Sequence, residues 1–231
     1  MWEQEDTIDL IKLIRSLEEF VFETIVLLFF YPKMLLMITF KPMQAMRYAE
    51  NEEAQNKDNS YDDSVSPPLL LLITLFIANC VGLALHVPQA ADASNLAKAL
   101  LDSPQNLVMF RSMLFSLFPL TAAVVAVHRR GQATSRAALR PPFFAQCYLI
   151  SPFALVISMG IIALQSPRPG MELAGLAACM LAFVWMVGVQ AAWFRARFNC
   201  GWAKALAIGV GLLVWVCICV LAVVALLANL G

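Results

Sequence analysis

Of 231 residues, 61% are apolar and only 14% are charged, and the mean hydropathy is +0.74; an average globular chain carries roughly 25% charged residues. The formal net charge is zero, yet residues 1–68 hold 6 Lys and Arg against 13 Asp and Glu, and residues 69–231 hold 10 against 3. That balance excludes a nucleic-acid binder, which needs a dominant basic face, a disordered chain and a disulfide-built secreted domain. The fold class expected is all-α, a polytopic membrane protein with five transmembrane helices preceded by cytoplasmic or interfacial amphipathic helices.

The N-terminal region, residues 1–68, divides into three. Met1–Asp9 is acidic and lacks the basic flank of a secretory signal, so none is expected. Over residues 7–23 the apolar positions Ile8, Ile11, Ile14, Leu17 and Val21 recur at helical spacing, with Asp9, Lys12, Arg15, Glu19 and Glu23 on the other face. Acidic composition disfavours adhesion to anionic lipid, so Ile8, Ile11, Leu17 and Val21 form a candidate partner-binding face. Residues 24–48 are apolar but interrupted at Pro32-Lys33. A mid-bilayer charge costs about 2.5–3.5 kcal/mol on insertion scales and proline breaks a helix, which favours an interfacial helix–turn–helix over a sixth span. Residues 50–66, ENEEAQNKDNSYDDSVS, read as a solvated acidic linker.

Residues 69–231 contain five stretches of the roughly 20 apolar residues that a bilayer core requires, at about 69–87, 107–128, 143–164, 173–194 and 205–230. The loop after the second span holds Arg129, Arg130, Arg136 and Arg140, and the loop after the fourth holds Arg195, Arg197 and Lys204. Their side of the membrane, with the N-terminal region, collects thirteen Lys and Arg, whereas the other collects Lys98 and Arg168 alone. The positive-inside rule then makes the N-terminus cytoplasmic and the C-terminus non-cytoplasmic.

Within the spans the only charge is Arg111, with Ser112 beside it and Ser116 one turn on. These three form a candidate polar strip for an anionic or lipid-phosphate group, or Arg111 snorkels to the headgroups. Asn79, Gln146, Tyr148, Ser151 and Gln190 are further buried polar candidates for interhelical hydrogen bonds. Pro119 and Pro152 are candidate helix kinks. Small residues at four-residue spacing, Ala78/Gly82, Ala174/Ala178, Ala205/Gly209 and Ala207/Gly211, suggest close helix packing. Cys217 and Cys219 point about 200° apart on a helix and cannot share a metal. His86 and His128 stand at span ends without a second ligand in sequence. No HExxH, GxSxG or P-loop motif occurs. No catalytic residue, metal site or cofactor is therefore expected, and the protein is read as a non-enzyme.

The stretch Tyr61-Asp62-Asp63-Ser64-Val65-Ser66-Pro67-Pro68 ahead of the spans, Gln146-Cys147-Tyr148-Leu149-Ile150-Ser151-Pro152 in the third, Val184-Trp185 to Trp193-Phe194 in the fourth, Gly201-Trp202-Ala203-Lys204-Ala205 opening the fifth, and Phe30-Tyr31-Pro32-Lys33 upstream together resemble the Yip-type domain (Ypt/Rab-interacting) membrane protein family. No glycine stands beside Pro67, unlike the acidic-Tyr-Gly-Pro element of the eukaryotic members, so the similarity is to the bacterial permease-like branch. The resemblance implies a five-span fold with a cytoplasmic N-terminus and names no substrate. The function expected is a non-catalytic membrane scaffold or accessory subunit, with a small oligomeric permease or lipid-handling transporter as the alternative. Its partners would be the lipid bilayer and another membrane protein or a second copy, with no nucleic acid. Its location would be the bacterial inner membrane, or alternatively a Golgi or ER membrane.

Overall fold

The computed structural model describes residues 29–55, 61, 64–85 and 104–229, together with positions 16, 18, 25 and 27. Ser16 and Glu18 are helical and exposed. Ile8, Ile11, Leu17 and Val21 lie outside the described residues, as do His86, Asp62, Asp63 and most of the chain between α3 and α4.

Among the described residues run seven α-helices and no strand: α1 Phe29–Phe40, α2 Pro42–Gln55, α3 Pro67–Ala84, α4 Pro104–Arg129, α5 Arg136–Leu164, α6 Met171–Phe198 and α7 Trp202–Asn229. Five of them are long and apolar enough to cross a membrane, at Pro67–Ala84, Met109–Arg129, Arg136–Leu164, Met171–Phe198 and Trp202–Val223. The protein is an all-helical integral membrane protein.

Local chemistry sets the helix ends. Pro67 and Pro68 open α3, where an N–H would be unsatisfied in any case. The Ser135 hydroxyl accepts the Ala138 N–H at 3.2 Å and caps α5. Gly170 (φ 85°) precedes α6, and Asn199 (φ 48°) ends it in the left-handed region that glycine and asparagine enter most readily.

α5 is the hub, packed against α2, α3, α4 and α6, while α7 closes a four-helix ring by touching α6 and α4. The span of α5 is 50% buried, against 17% for α6 and 11% for α7, so α6 and α7 turn most of their apolar surface outward. α5 and α6 approach closely at a pair of glycines. A Cβ on Gly175 would lie 2.6 Å from the Gly160 carbonyl oxygen and 2.9 Å from the Leu164 nitrogen, so the two backbones meet there. Of the small-residue pairs expected to pack, Ala205 and Gly209 are buried against α6, whereas Ala207 and Gly211 face outward.

Two sequence expectations for the N-terminal region are corrected. α1 runs through Pro32-Lys33, and the turn of the helix–turn–helix falls at Lys41. Packing overrides the proline: Tyr31, Met34 and Ile38 form one buried face, and the Tyr31 hydroxyl donates to Thr74 Oγ1 of α3 at 3.1 Å. The break moves to the residue before Pro42, where the helical conformation is disfavoured. Lys33 stays exposed over the Phe30 ring at 5.3 Å. The acidic linker also begins later than expected, because Glu50–Gln55 belongs to α2 and Glu53 is buried.

Candidate functional site

α2 presents Ala45, Met46, Ala49 and Glu53 on one buried stripe. Composition alone would place an apolar residue where Glu53 stands. The carboxylate is tolerated because Arg140, from the first turns of α5, pairs with it at 2.5 Å. One turn further along α5, the Phe144 ring supports the Arg140 guanidinium at 5.3 Å. Glu53 is 2% exposed at its side chain and Arg140 54%, so water screens one partner but hardly the other.

Glu50, three residues earlier on α2, reaches the last turns of α6. Its Oε1 accepts the Trp193 indole N–H at 3.2 Å and forms an ion pair with Arg197. The Arg197 guanidinium lies over the Trp193 ring at 4.8 Å, and both side chains are largely buried. Phe194 stacks on Phe198 at 5.4 Å, and Arg129, from the end of α4, lies over Phe198 at 5.8 Å. The end of the bundle that collects these arginines, its basic end, is thus covered by the acidic helix α2.

Tyr61, Ser64 and Val65, between α2 and α3, are fastened to the same end. Tyr61 adopts φ 73°, a left-handed conformation that costs a non-glycine residue energy and marks a position held by its surroundings. Its ring stacks on Phe144 at 6.2 Å and meets Tyr48 edge-on at 6.2 Å. The Tyr48 and Ser64 hydroxyls share a hydrogen bond of 2.9 Å, and the Tyr148 hydroxyl donates to the Val65 carbonyl at 2.7 Å. Burial, reinforced by the negative charge of Glu53, pushes the Tyr61 phenol above its ordinary range, so it stays neutral at physiological pH. Carboxylate–guanidinium pairs, aromatic contacts and hydrogen bonds therefore fasten α2, Tyr61, Ser64 and Val65 onto α5 and α6.

The polar strip expected from sequence is placed on α4, in the part of the helix remote from this latch. Arg111, Ser112 and Ser116 are all half-buried there. Pro119 and Pro152 are both buried inside unbroken helices. Several membrane hydroxyls bond their own helix rather than a neighbour: Ser151 to the Cys147 carbonyl at 2.8 Å, Thr74 to Leu70 at 2.7 Å and Thr121 to Leu117 at 2.5 Å. Each returns to the carbonyl four residues back, as short hydroxyl side chains do in helices. Cys217 is exposed and Cys219 half-buried, and all six cysteines are free thiols. No three of His, Cys, Asp and Glu converge among the described residues.

A groove of about 320 Å³ opens between α1, α5 and α6, lined by Thr39, Pro152, Phe153, Val156, Leu181, Ala182 and Trp185 among others. Its hydroxyl, that of Thr39, already donates to the Leu35 carbonyl at 2.7 Å. Gln146 and Gln190 lie fully buried inside the bundle, and neither carboxamide has a protein hydrogen-bond partner.

Motif and intramembrane-charge searches miss Glu50, Glu53, Arg140, Arg197, Trp193 and Tyr61 as one constellation. The signal that points to it is the split of charge, with an acidic excess in residues 1–68 and a basic excess in the rest. No family model, characterised protein or solved structure matches this chain.

Proposed function

We propose that this chain is a non-catalytic scaffold or accessory subunit of a membrane protein complex, in the bacterial inner membrane, with its N-terminal region cytoplasmic and its C-terminus outside. The observation that carries this reading is the latch. Glu50 on Arg197 and Trp193, with Glu53 on Arg140, fastens α2 to the basic end and makes it part of a fixed platform rather than a moving gate. The uncovered apolar surfaces of α6 and α7 add support, since they leave broad lateral faces for lipid or for another membrane protein. The cytoplasmic assignment rests on the thirteen-to-two division of Lys and Arg, and the five-span layout agrees with the resemblance to Yip-type bacterial permease-like proteins. Purification from native membranes in a mild detergent, followed by mass and subunit analysis, tests this reading. A second membrane protein in fixed stoichiometry is expected. A chain that purifies alone, and that moves a solute when placed in liposomes, would contradict it.

A second reading, a small permease or lipid-handling transporter, is favoured by the half-buried strip Arg111, Ser112 and Ser116. On that reading Arg111→Ala abolishes transport in liposomes without changing the amount of folded protein.

A further inference from the structure

Gln146 of α5 and Gln190 of α6 are both completely buried, and neither Oε1 nor Nε2 of either one meets a hydrogen-bond partner in the protein. Buried polar atoms without partners are rare because each loses its bonds to water and gains nothing in return. The loss is larger where hydrocarbon surrounds the helices. Ser151, Thr74 and Tyr148 each donate to a backbone carbonyl, and Glu53 and Arg197, each with one buried atom unpartnered, are held by ion pairs through their other atoms.

The register of α5 against α6 places the two glutamines together. The helices run antiparallel, with Gly160 against Gly175 and the Phe153 ring on that of Phe183 at 5.2 Å. Gln146 precedes Phe153 by seven residues and Gln190 follows Phe183 by seven, about two helical turns in each case. Both therefore stand on the facing sides of their helices and at one level in the bundle. A third wall comes from α7, where a Cβ built on Gly209 would lie 3.6 Å from Gln190 Cγ.

We infer that Gln146 and Gln190 form a binding site for one small neutral molecule that both donates and accepts hydrogen bonds, such as water or a simple amide, held between α5, α6 and α7. Each carboxamide offers two N–H donors and a carbonyl acceptor, so the pair satisfies the two to four bonds that a buried water makes. An ion is disfavoured, because carboxamides carry no charge to offset its desolvation. Complete burial of both side chains limits the guest to a few heavy atoms.

The test uses the full chain in lipid nanodiscs, labelled with ¹⁵N-glutamine. The side-chain signals of residues 146 and 190 are assigned with Gln146→Met and Gln190→Met. Magnetization transfer from water to both Nε2H₂ groups is expected, and its loss on titrating formamide would identify an exchangeable site that also accepts an amide. Transfer that survives formamide would identify water as the resident guest. Transfer between the two carboxamides alone, with none from water or formamide, would overturn the site. Stability supplies an independent readout. Each single Met variant should lower Tm by several degrees, because it strands the other carboxamide. The double variant should recover most of that loss, since no polar atom is left to satisfy. Additive losses would mean that the two side chains share no guest.

Discussion

Glu50 on α2 and Arg197 at the end of α6 are 147 positions apart in the chain and are joined by an ion pair that also engages the Trp193 indole. Because the Arg197 side chain is largely buried, removing its partner leaves an uncompensated charge rather than a solvated one. Glu50→Ala is expected to destabilise the folded protein by about 3 kcal/mol, visible as a Tm lower by several degrees when unfolding is followed by tryptophan fluorescence. In a double-mutant cycle with Arg197→Ala the two losses should fall well short of additive. Additive losses would show that the pair contributes nothing.

The Glu53–Arg140 pair should be asymmetric. Arg140→Ala strands a carboxylate whose side chain is 2% exposed, whereas Glu53→Gln releases a guanidinium that is 54% exposed and readily hydrated. Arg140→Ala is expected to cost about 2 kcal/mol and Glu53→Gln less than about 1 kcal/mol. Thermal unfolding of both variants in one detergent decides the order, and equal losses would contradict the burial argument.

At Gly175 the backbones of α5 and α6 meet. An alanine there puts a methyl group 2.6 Å from the Gly160 carbonyl oxygen, and a backbone atom cannot swing aside as a side chain does. Gly175→Ala should cost about 1–3 kcal/mol as the helices separate. Gly211→Ala is the control, because open space surrounds that position. It should leave stability unchanged or raise it by up to about 1 kcal/mol through helix propensity.

Tyr61 makes the latch sensitive to alkali. Its phenol is raised above the ordinary value by burial and by the charge of Glu53, so the folded protein holds this proton more tightly than the unfolded chain, where tyrosine ionises near pH 10. The resulting stabilisation is fully present below about pH 10. It declines as pH rises above that value towards the raised folded one. Tm measured from pH 8 to 11 should fall more steeply in the wild type than in Tyr61→Phe. Parallel curves would remove Tyr61 from the latch.

The spans and the charge division were legible in sequence because each rests on a property of single residues, namely long apolar runs and the placement of arginines. The latch was not legible, because Glu50 and Glu53 look solvated until Arg140 and Arg197 are brought over them by the fold. The helix break was misplaced for a related reason. Pro32 is a breaker in isolation, but Tyr31 and Met34 on either side of it are held against the bundle, and the turn falls at Lys41 instead. Gln146 and Gln190 were visible as polar residues in apolar runs, yet their common level depends on the α5–α6 register set by Gly160, Gly175, Phe153 and Phe183. No spacing within one helix encodes that register. Of the small-residue pairs, Ala205/Gly209 is buried within this chain and Ala207/Gly211 is exposed on it, because a four-residue repeat marks a face without saying whether the same chain or another covers it.

The fixed platform is tested most directly by a distance between α2 and α6 in a membrane. Spin labels at Gln44 and Arg195, both exposed, in a variant lacking the six native cysteines, and diluted with unlabelled protein in nanodiscs, report that distance by pulsed electron paramagnetic resonance. A single narrow distribution, broadened by Arg197→Ala, is the result expected of a latched N-terminal region. Two well-separated distances in the otherwise unmutated chain would make α2 a moving gate and contradict the scaffold reading.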